Sequence, residues 1–140
     1  MKMPGQMPTG RFDVTKLEVR EAEPPSAVAH NIVDVGEAFE LIATFEGSGT
    51  AWKTMKYQRA RYRACFYAEG LGLQAAEVDF GCDTGELRWN QNEYTASIRV
   101  SSGIPTRGIY KIAVTVEFPG WWGTLGYRDD VLLQVSHWED

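Results

Sequence analysis

The chain has 140 residues, of which 44% are hydrophobic and 24% are charged, and its formal net charge is −5. This length is that of a single domain, and the composition excludes disordered, collagen-like and low-complexity chains. The acidic balance argues against a general nucleic-acid binder, because phosphate contacts need an excess of Lys and Arg. Five of the residues are tryptophan, and this high number in a small domain needs an explanation.

The first ten residues contain two prolines and two glycines and no apolar run. We therefore expect a flexible lead-in over residues 1–10 and a single domain over residues 11–140. A secretory signal needs an apolar core of about 7–15 residues, which this N-terminus lacks. No stretch approaches the roughly 18 apolar residues of a membrane helix. We expect a cytoplasmic protein without a membrane partner.

Apolar and polar residues alternate along most of the chain, which is typical of antiparallel strands with one buried face. Clusters of glycine, proline and asparagine separate the alternating runs and indicate turns. Seven or eight short strands of this kind predict an all-β fold, a two-sheet antiparallel sandwich. The predicted strands are residues 14–20, 37–46, 56–68, 75–80, 85–89, 94–100, 109–118 and 131–136.

The run 94–100, the proline-containing crossover after it and the run 108–114 carry a resemblance to a known fold family. This part of the chain resembles immunoglobulin and fibronectin-type β-sandwiches, and Tyr110 resembles their "tyrosine corner". The resemblance implies an immunoglobulin-like sandwich in which the Tyr110 hydroxyl bonds back to the crossover backbone. It implies no particular activity, because unrelated functions share this fold.

The two cysteines, Cys65 and Cys82, lie on neighbouring predicted strands. If their hairpin turns near residues 70–72, Cys65 lies opposite Val78 and Cys82 lies near Arg61. Disulfide geometry is demanding, so this register predicts free thiols, which fits a reducing cytosol.

No nucleotide-binding, metalloprotease or serine-hydrolase motif is present. The acids Asp79, Asp83 and Glu86 lie close in sequence, but their spacing does not match an EF-hand loop. We therefore expect no metal and no cofactor, and we do not expect an enzyme. A small cysteine-dependent enzyme remains an alternative, with His30 or His137 as the base for one of the cysteines.

A basic segment covers residues 51–68, which hold five Lys and Arg residues and no acid. Arg59, Arg61 and Arg63 are spaced by two and are expected on one face of the predicted strand 56–68. Lys111 is expected on the same sheet face, with Glu117 as a counter-charge. Such a row of guanidinium groups suits carboxylate or phosphate groups. The alternative is a solvated face whose charge prevents edge pairing and is neutralised by neighbouring acids.

Three loops of an immunoglobulin-like sandwich gather at one end of the molecule. In this chain they carry four of the five tryptophans, and a tyrosine accompanies them. These residues are Trp52, Trp89, Trp121, Trp122 and Tyr127. The rings either plug the open end of the sandwich, form an interface with a protein partner or a second copy of the chain, or stack on a sugar.

We conclude that the sequence predicts a non-enzymatic binding or interaction module. Its partner would contact either the tryptophan end or the arginine face. A protein partner or self-association is the first expectation, and nucleic acid is not expected. A carbohydrate-binding domain is the alternative of another class.

Overall fold

The computed structural model describes residues 5–7, 10–22, 25–29, 31–72, 77–121 and 125–136. These residues form ten strands and one short helix. In chain order the elements are β1 Gly5–Met7, β2 Gly10–Ala22, β3 Pro25–Ala29, β4 Ile32–Asp34, β5 Phe39–Gly49, α1 Thr50–Tyr57, β6 Arg61–Leu71, β7 Val78–Glu86, β8 Glu93–Val100, β9 Gly108–Glu117 and β10 Leu125–Ser136.

Two five-stranded sheets pack face to face, which confirms the predicted all-β sandwich. The first sheet has the order β1-β2-β5-β8, with β3 also paired to β2, and the second has the order β4-β10-β9-β6-β7. The strand pairs are antiparallel except for β4, which pairs parallel to the end of β10. The strands β3 and β4 lie between the first two predicted strands, where no strand is predicted, and β1 lies in the predicted lead-in. The single strand β7 contains residues 78–80 of the predicted strand 75–80 and residues 85–86 of the predicted strand 85–89. Residues 75 and 76 lie outside the described residues.

The alternating pattern places one face of each central strand in the core. Leu41, Ala43 and Phe45 of β5 are fully buried, as are Ile112 and Val114 of β9 in the other sheet. Burying a side chain the size of Leu or Phe stabilises the fold by about 1.5–3 kcal/mol relative to leaving it in water. Burial of these side chains selects the register in which the strands pair. The alternating pattern in the sequence therefore predicts which residues form the core.

The prediction that a strand begins at residue 56 is wrong, because residues 50–57 form the helix α1. Ala51, Trp52 and Met55 lie on one face of this helix and are buried against the end of the sandwich. The helix is not evident from the sequence because eight residues show little more than two turns of a 3.6-residue period. The strand β6 begins only at Arg61.

The tyrosine corner is confirmed. The Tyr110 hydroxyl donates a hydrogen bond of 2.7 Å to the carbonyl oxygen of Thr106 in the crossover before β9. The Tyr110 side chain is buried, and burial raises its pKa above the usual value of a tyrosine. The hydroxyl therefore remains protonated and able to donate at neutral pH.

The prediction of free thiols is wrong, since Cys65 and Cys82 form a disulfide with a Cα–Cα distance of 4.0 Å. The two residues are direct cross-strand partners in the β6–β7 pair. The error lies in the turn: β6 continues to Leu71 and β7 starts at Val78, so the hairpin centre falls later than residues 70–72. Free thiols would have supported a location in the reducing cytosol, and the disulfide removes this support. The cytoplasmic location stays a prediction.

Candidate functional site

The three loops expected at one end of the sandwich do meet there. The segment 50–60 joins β5 to β6, the turn 87–92 joins β7 to β8, and a third connection follows β9. Strand pairing fixes this arrangement. Glu46 near the end of β5 lies opposite Glu93 at the start of β8, and Glu117 at the end of β9 lies opposite Arg63 near the start of β6. We call this region the loop end.

Trp52 plugs the loop end from inside. Its side chain is 1% exposed, and its ring centroid lies 6.2 Å from Phe12, 6.1 Å from Tyr94 and 5.9 Å from Phe118. Its indole Nε1 donates a 2.8 Å hydrogen bond to Oδ1 of Asn92, so the one polar atom of the ring is satisfied. A buried ring offers no surface to a partner, and Trp52 therefore supports the loop end rather than contacting a ligand.

The other aromatic residues expected at this end are separated. Trp89 is 69% exposed in the turn 87–92. Trp121 is partly buried and packs against the core, and Trp122 lies outside the described residues. Tyr127 belongs to β10 rather than to a loop, and it is partly buried. Of the four tryptophans, Trp89 is the one that the structure shows largely open to solvent.

The three arginines do not form one row on a strand. Arg59 lies in the connection between α1 and β6, with a positive φ of 54°. Arg61 and Arg63 lie on β6, and Nε of Arg63 donates a 2.8 Å hydrogen bond to Oε1 of Glu117. The predicted role of Glu117 as a counter-charge is confirmed. Lys111 lies on the same outer sheet face, as expected, but its ion pair is with Asp129 at 3.4 Å.

A cleft of about 240 Å³ opens on the outer face of the sheet β4-β10-β9-β6-β7. Ala113 of β9 lines its middle, Tyr67 of β6 is the cross-strand partner of Ala113, and Tyr127 of β10 also lines the cleft. Its charged lining residues include Lys111 and its cross-strand partner Glu69. We call this region the sheet-face cleft. It combines aromatic rings, a small central residue and polar groups, which are the ingredients of a small-molecule site.

Hydrogen bonds hold the polar groups of the sheet-face cleft in place. The hydroxyls of Tyr67 and Thr115 lie 3.3 Å apart, and the Tyr127 hydroxyl donates to Oδ2 of Asp129 at 3.2 Å. Burial and the nearby Asp129 carboxylate raise the pKa of Tyr127, so this hydroxyl is neutral at physiological pH. The sequence indicates Tyr127 as a site residue but not Tyr67, because the β6–β9–β10 register brings together residues about 60 positions apart in the chain.

A larger groove of about 750 Å³ lies at the opposite end of the sandwich. The start of β9 and the end of β10 line it, with Arg107 as its one charged side chain among the described residues. Its wall reaches Ser136, where the described chain ends. The sheet-face cleft is therefore the site with the more complete set of converging groups.

The arrangement of the remaining candidate groups does not support catalysis by cysteine. Both thiols are consumed by the disulfide, and His30 and His137 lie outside the described residues. Asp83 instead accepts a 2.9 Å hydrogen bond from the backbone N–H of Ser97 on the edge strand β8. In the described part of the chain, no three His, Cys, Asp or Glu side chains are close enough to hold a metal ion. No helix there has the length and apolar character needed to cross a membrane.

The sequence matches no protein-family profile and no curated protein. The fold is similar to that of several solved structures. The CARDB domain of PF1109 from Pyrococcus furiosus, solved with di-metal ions, has a TM-score of 0.51 at 11% identity, and the match covers 97% of this chain and 95% of that domain. The C-terminal domain of wzt has a TM-score of 0.59 at 12% identity, with 97% of this chain and 78% of that one covered.

A β-glucosidase from Listeria innocua, solved with gluconolactone, has a TM-score of 0.53 at 9% identity. The match covers 92% of this chain but 16% of the enzyme, so the likeness concerns one part of a much larger protein. At these identities the likenesses show a shared immunoglobulin-like β-sandwich and nothing further about activity.

Proposed function

We propose that this domain is a non-enzymatic binding module whose sheet-face cleft binds a sugar ring. The proposal rests on two tyrosines, Tyr67 and Tyr127, that line one cleft. They lie on β6 and β10, and Ala113 lies on β9, the strand between these two. The methyl group of Ala113 leaves room for a ring to approach the sheet. The volume of about 240 Å³ limits the occupant to about one ring in size.

The chemistry of the sheet-face cleft suits a sugar. Tyrosine rings provide apolar faces for the C–H groups of a pyranose, while phenolic hydroxyls and charged groups bond its hydroxyls. Lys111 supplies a donor, and Glu69 supplies acceptors. Because Asp129 already holds both Lys111 and Tyr127, less side-chain entropy is lost when a ligand binds.

Binding without catalysis is the simpler function for these groups. Nucleophilic catalysis by cysteine is not open to a chain whose two cysteines are bonded to each other. Glu69 and Lys111 are direct cross-strand neighbours on a flat sheet face. Glu77 is a second carboxyl group of the cleft. Glycoside hydrolysis needs two carboxyl groups that flank the bond between two sugars, whereas a cleft of about 240 Å³ holds about one ring.

A glycan array followed by calorimetry tests the proposal. The wild-type protein is expected to retain at least one glycan, and Tyr67→Ala and Tyr127→Ala are each expected to weaken its binding at least tenfold, equivalent to about 1.4 kcal/mol. Tyr57→Ala is the matched control, because Tyr57 is an exposed tyrosine outside the cleft. An array without any hit from the folded protein, or equal affinities in all four proteins, would show that the cleft is not a sugar site.

A further inference from the structure

The loop end carries a concentration of positive charge that the sheet-face cleft does not use. Lys53 lies on the exposed side of α1, Arg59 and Arg61 follow the helix, and Arg88 lies in the turn 87–92. The exposed rings of Tyr57 and Trp89 accompany them. We call these six residues the cationic end: Lys53, Tyr57, Arg59, Arg61, Arg88 and Trp89.

Hydrogen bonds join the two segments of the cationic end into one surface. The backbone N–H of Leu87 donates a 2.9 Å hydrogen bond to the carbonyl oxygen of Ala60. Arg88 follows Leu87 in the sequence, and Arg59 precedes Ala60. The two arginines therefore extend from neighbouring points of the backbone. At the far side of the turn, Asn92 accepts hydrogen bonds from Trp52 and Lys56 of α1. Part of the predicted arginine face and part of the predicted tryptophan end, which the sequence presents as alternative sites, therefore lie on one surface.

The positive charges of the cationic end lack partners within the described part of the chain. Lys53, Arg59, Arg61 and Arg88 form no ion pair with a described residue, although Glu86 is the cross-strand neighbour of Arg61. By contrast, Arg63, two residues after Arg61 on β6, forms an ion pair with Glu117. Exposed guanidinium groups without an internal ion pair are available to the carboxylates of a partner.

Arg59 is held in a conformation that normally belongs to glycine. Its N–H donates to the carbonyl oxygen of Lys56 at 3.1 Å, and the N–H of Ala60 donates to that of Met55 at 2.9 Å. These two bonds form a Schellman motif at the end of α1, and its left-handed position is usually glycine. Arg59 is the one residue other than glycine with a positive φ in the described chain. Strain of this kind is often found at functional sites.

The residue types of the cationic end match those of protein interfaces. Trp89 is 69% exposed and Tyr57 is 81% exposed, and Trp, Tyr and Arg are the side chains that dominate binding energy at such interfaces. Nucleic acid fits less well, because the rest of the chain is strongly acidic and would repel the flanking phosphates. We propose that the cationic end binds an acidic segment of a protein partner, with carboxylates on the arginines and apolar side chains on the two rings.

Fluorescence anisotropy with a labelled polyglutamate peptide tests this proposal. The wild-type protein is expected to bind the peptide with an affinity that falls as salt is raised. Arg59→Gly and Arg88→Ala should each weaken binding about threefold, and the double variant about tenfold. Arg107→Ala is the matched control, because Arg107 is an exposed arginine at the opposite end of the sandwich.

The Arg59→Gly variant separates binding from folding. Glycine fits the left-handed position better than arginine, so the thermal midpoint of this variant should equal or exceed that of the wild type while its binding weakens. No binding of polyglutamate, or an equal loss in Arg107→Ala, would overturn the proposal. Tighter binding of labelled oligothymidine than of polyglutamate would overturn the choice of a protein partner. None of these outcomes depends on the sheet-face cleft.

Discussion

The indole Nε1 of Trp52 donates a 2.8 Å hydrogen bond to the side-chain oxygen of Asn92, 40 residues further along the chain. This bond joins the helix α1 to the turn that presents Trp89. It also explains why a large ring with a polar atom can be fully buried at the loop end. The buried Trp52 therefore helps to position the turn that carries the exposed Trp89.

Replacing Asn92 by alanine should destabilise the protein by about 1–3 kcal/mol, because the buried N–H of Trp52 loses its acceptor. Urea unfolding followed by tryptophan fluorescence measures the change. Asn90→Ala is the control, because Asn90 is an exposed asparagine of the same turn. An Asn92→Ala variant as stable as Asn90→Ala would show that the bond does not hold the turn.

Gly47 of β5 is the residue on which the Trp52 ring lies. A Cβ atom at this position would lie 2.3 Å from the indole, far inside van der Waals contact. Gly47→Ala should therefore force the buried ring to move and cost about 1–3 kcal/mol of the free energy of unfolding. Ser48→Ala, a substitution at the neighbouring exposed position, should change it little, and thermal melts of both variants make the comparison.

The disulfide should stabilise the fold through the loop that it closes. The cysteines are 17 residues apart, and a loop of this length is worth about 3 kcal/mol in the chain-entropy model. The double variant Cys65→Ser, Cys82→Ser should unfold at lower urea and should not respond to a reductant, whereas the reduced wild type should match the variant. If the urea midpoint of the wild-type protein were the same with and without the reductant, this expectation would be wrong.

Stability should fall on the alkaline side because of buried tyrosines. Burial raises the pKa of Tyr62, Tyr94 and Tyr110 above 10.0, and for Tyr62 the charge of Asp83 adds to the effect. At neutral pH the three groups are protonated in both states and contribute no pH dependence. As the pH rises towards and beyond 10.0, the unfolded chain loses these protons first, so the free energy of unfolding decreases.

Urea midpoints between about pH 8 and pH 11 measure this decrease. The double variant Tyr94→Phe, Tyr110→Phe should be less sensitive to pH over the same interval, even though it starts from a lower stability. Equal pH dependence in the two proteins would show that ionisation of Tyr94 and Tyr110 does not cause the loss.

The sequence was sufficient to predict the sandwich and the tyrosine corner, since both depend on local patterns. Alternation over residues 109–118 identifies the central strand β9, and Tyr110 marks the corner that precedes it. The cysteine pairing was not predictable in the same way. It depends on where the β6–β7 hairpin turns, and a small error in that position separates Cys65 from Cys82.

The functional surfaces depend on register and on local helix geometry, which a single sequence does not determine. Tyr67 and Tyr127 meet only because β6 and β10 both pair with β9. Arg59 and Arg88 lie next to a shared backbone hydrogen bond only because α1 ends at residue 57 and leaves Ala60 free to bond with Leu87. Residue composition predicted that arginines and tryptophans matter, but it could not predict that they share one surface.

The most direct test of the proposed function is a two-dimensional ¹H–¹⁵N NMR titration of the wild-type protein with the glycan selected on the array. We expect the largest shift changes at the amides of Lys111, Ala113 and Tyr127, on the strands that line the sheet-face cleft. Shifts confined to the turn 87–92, or no shifts at saturating glycan, would contradict a sugar site on this sheet face.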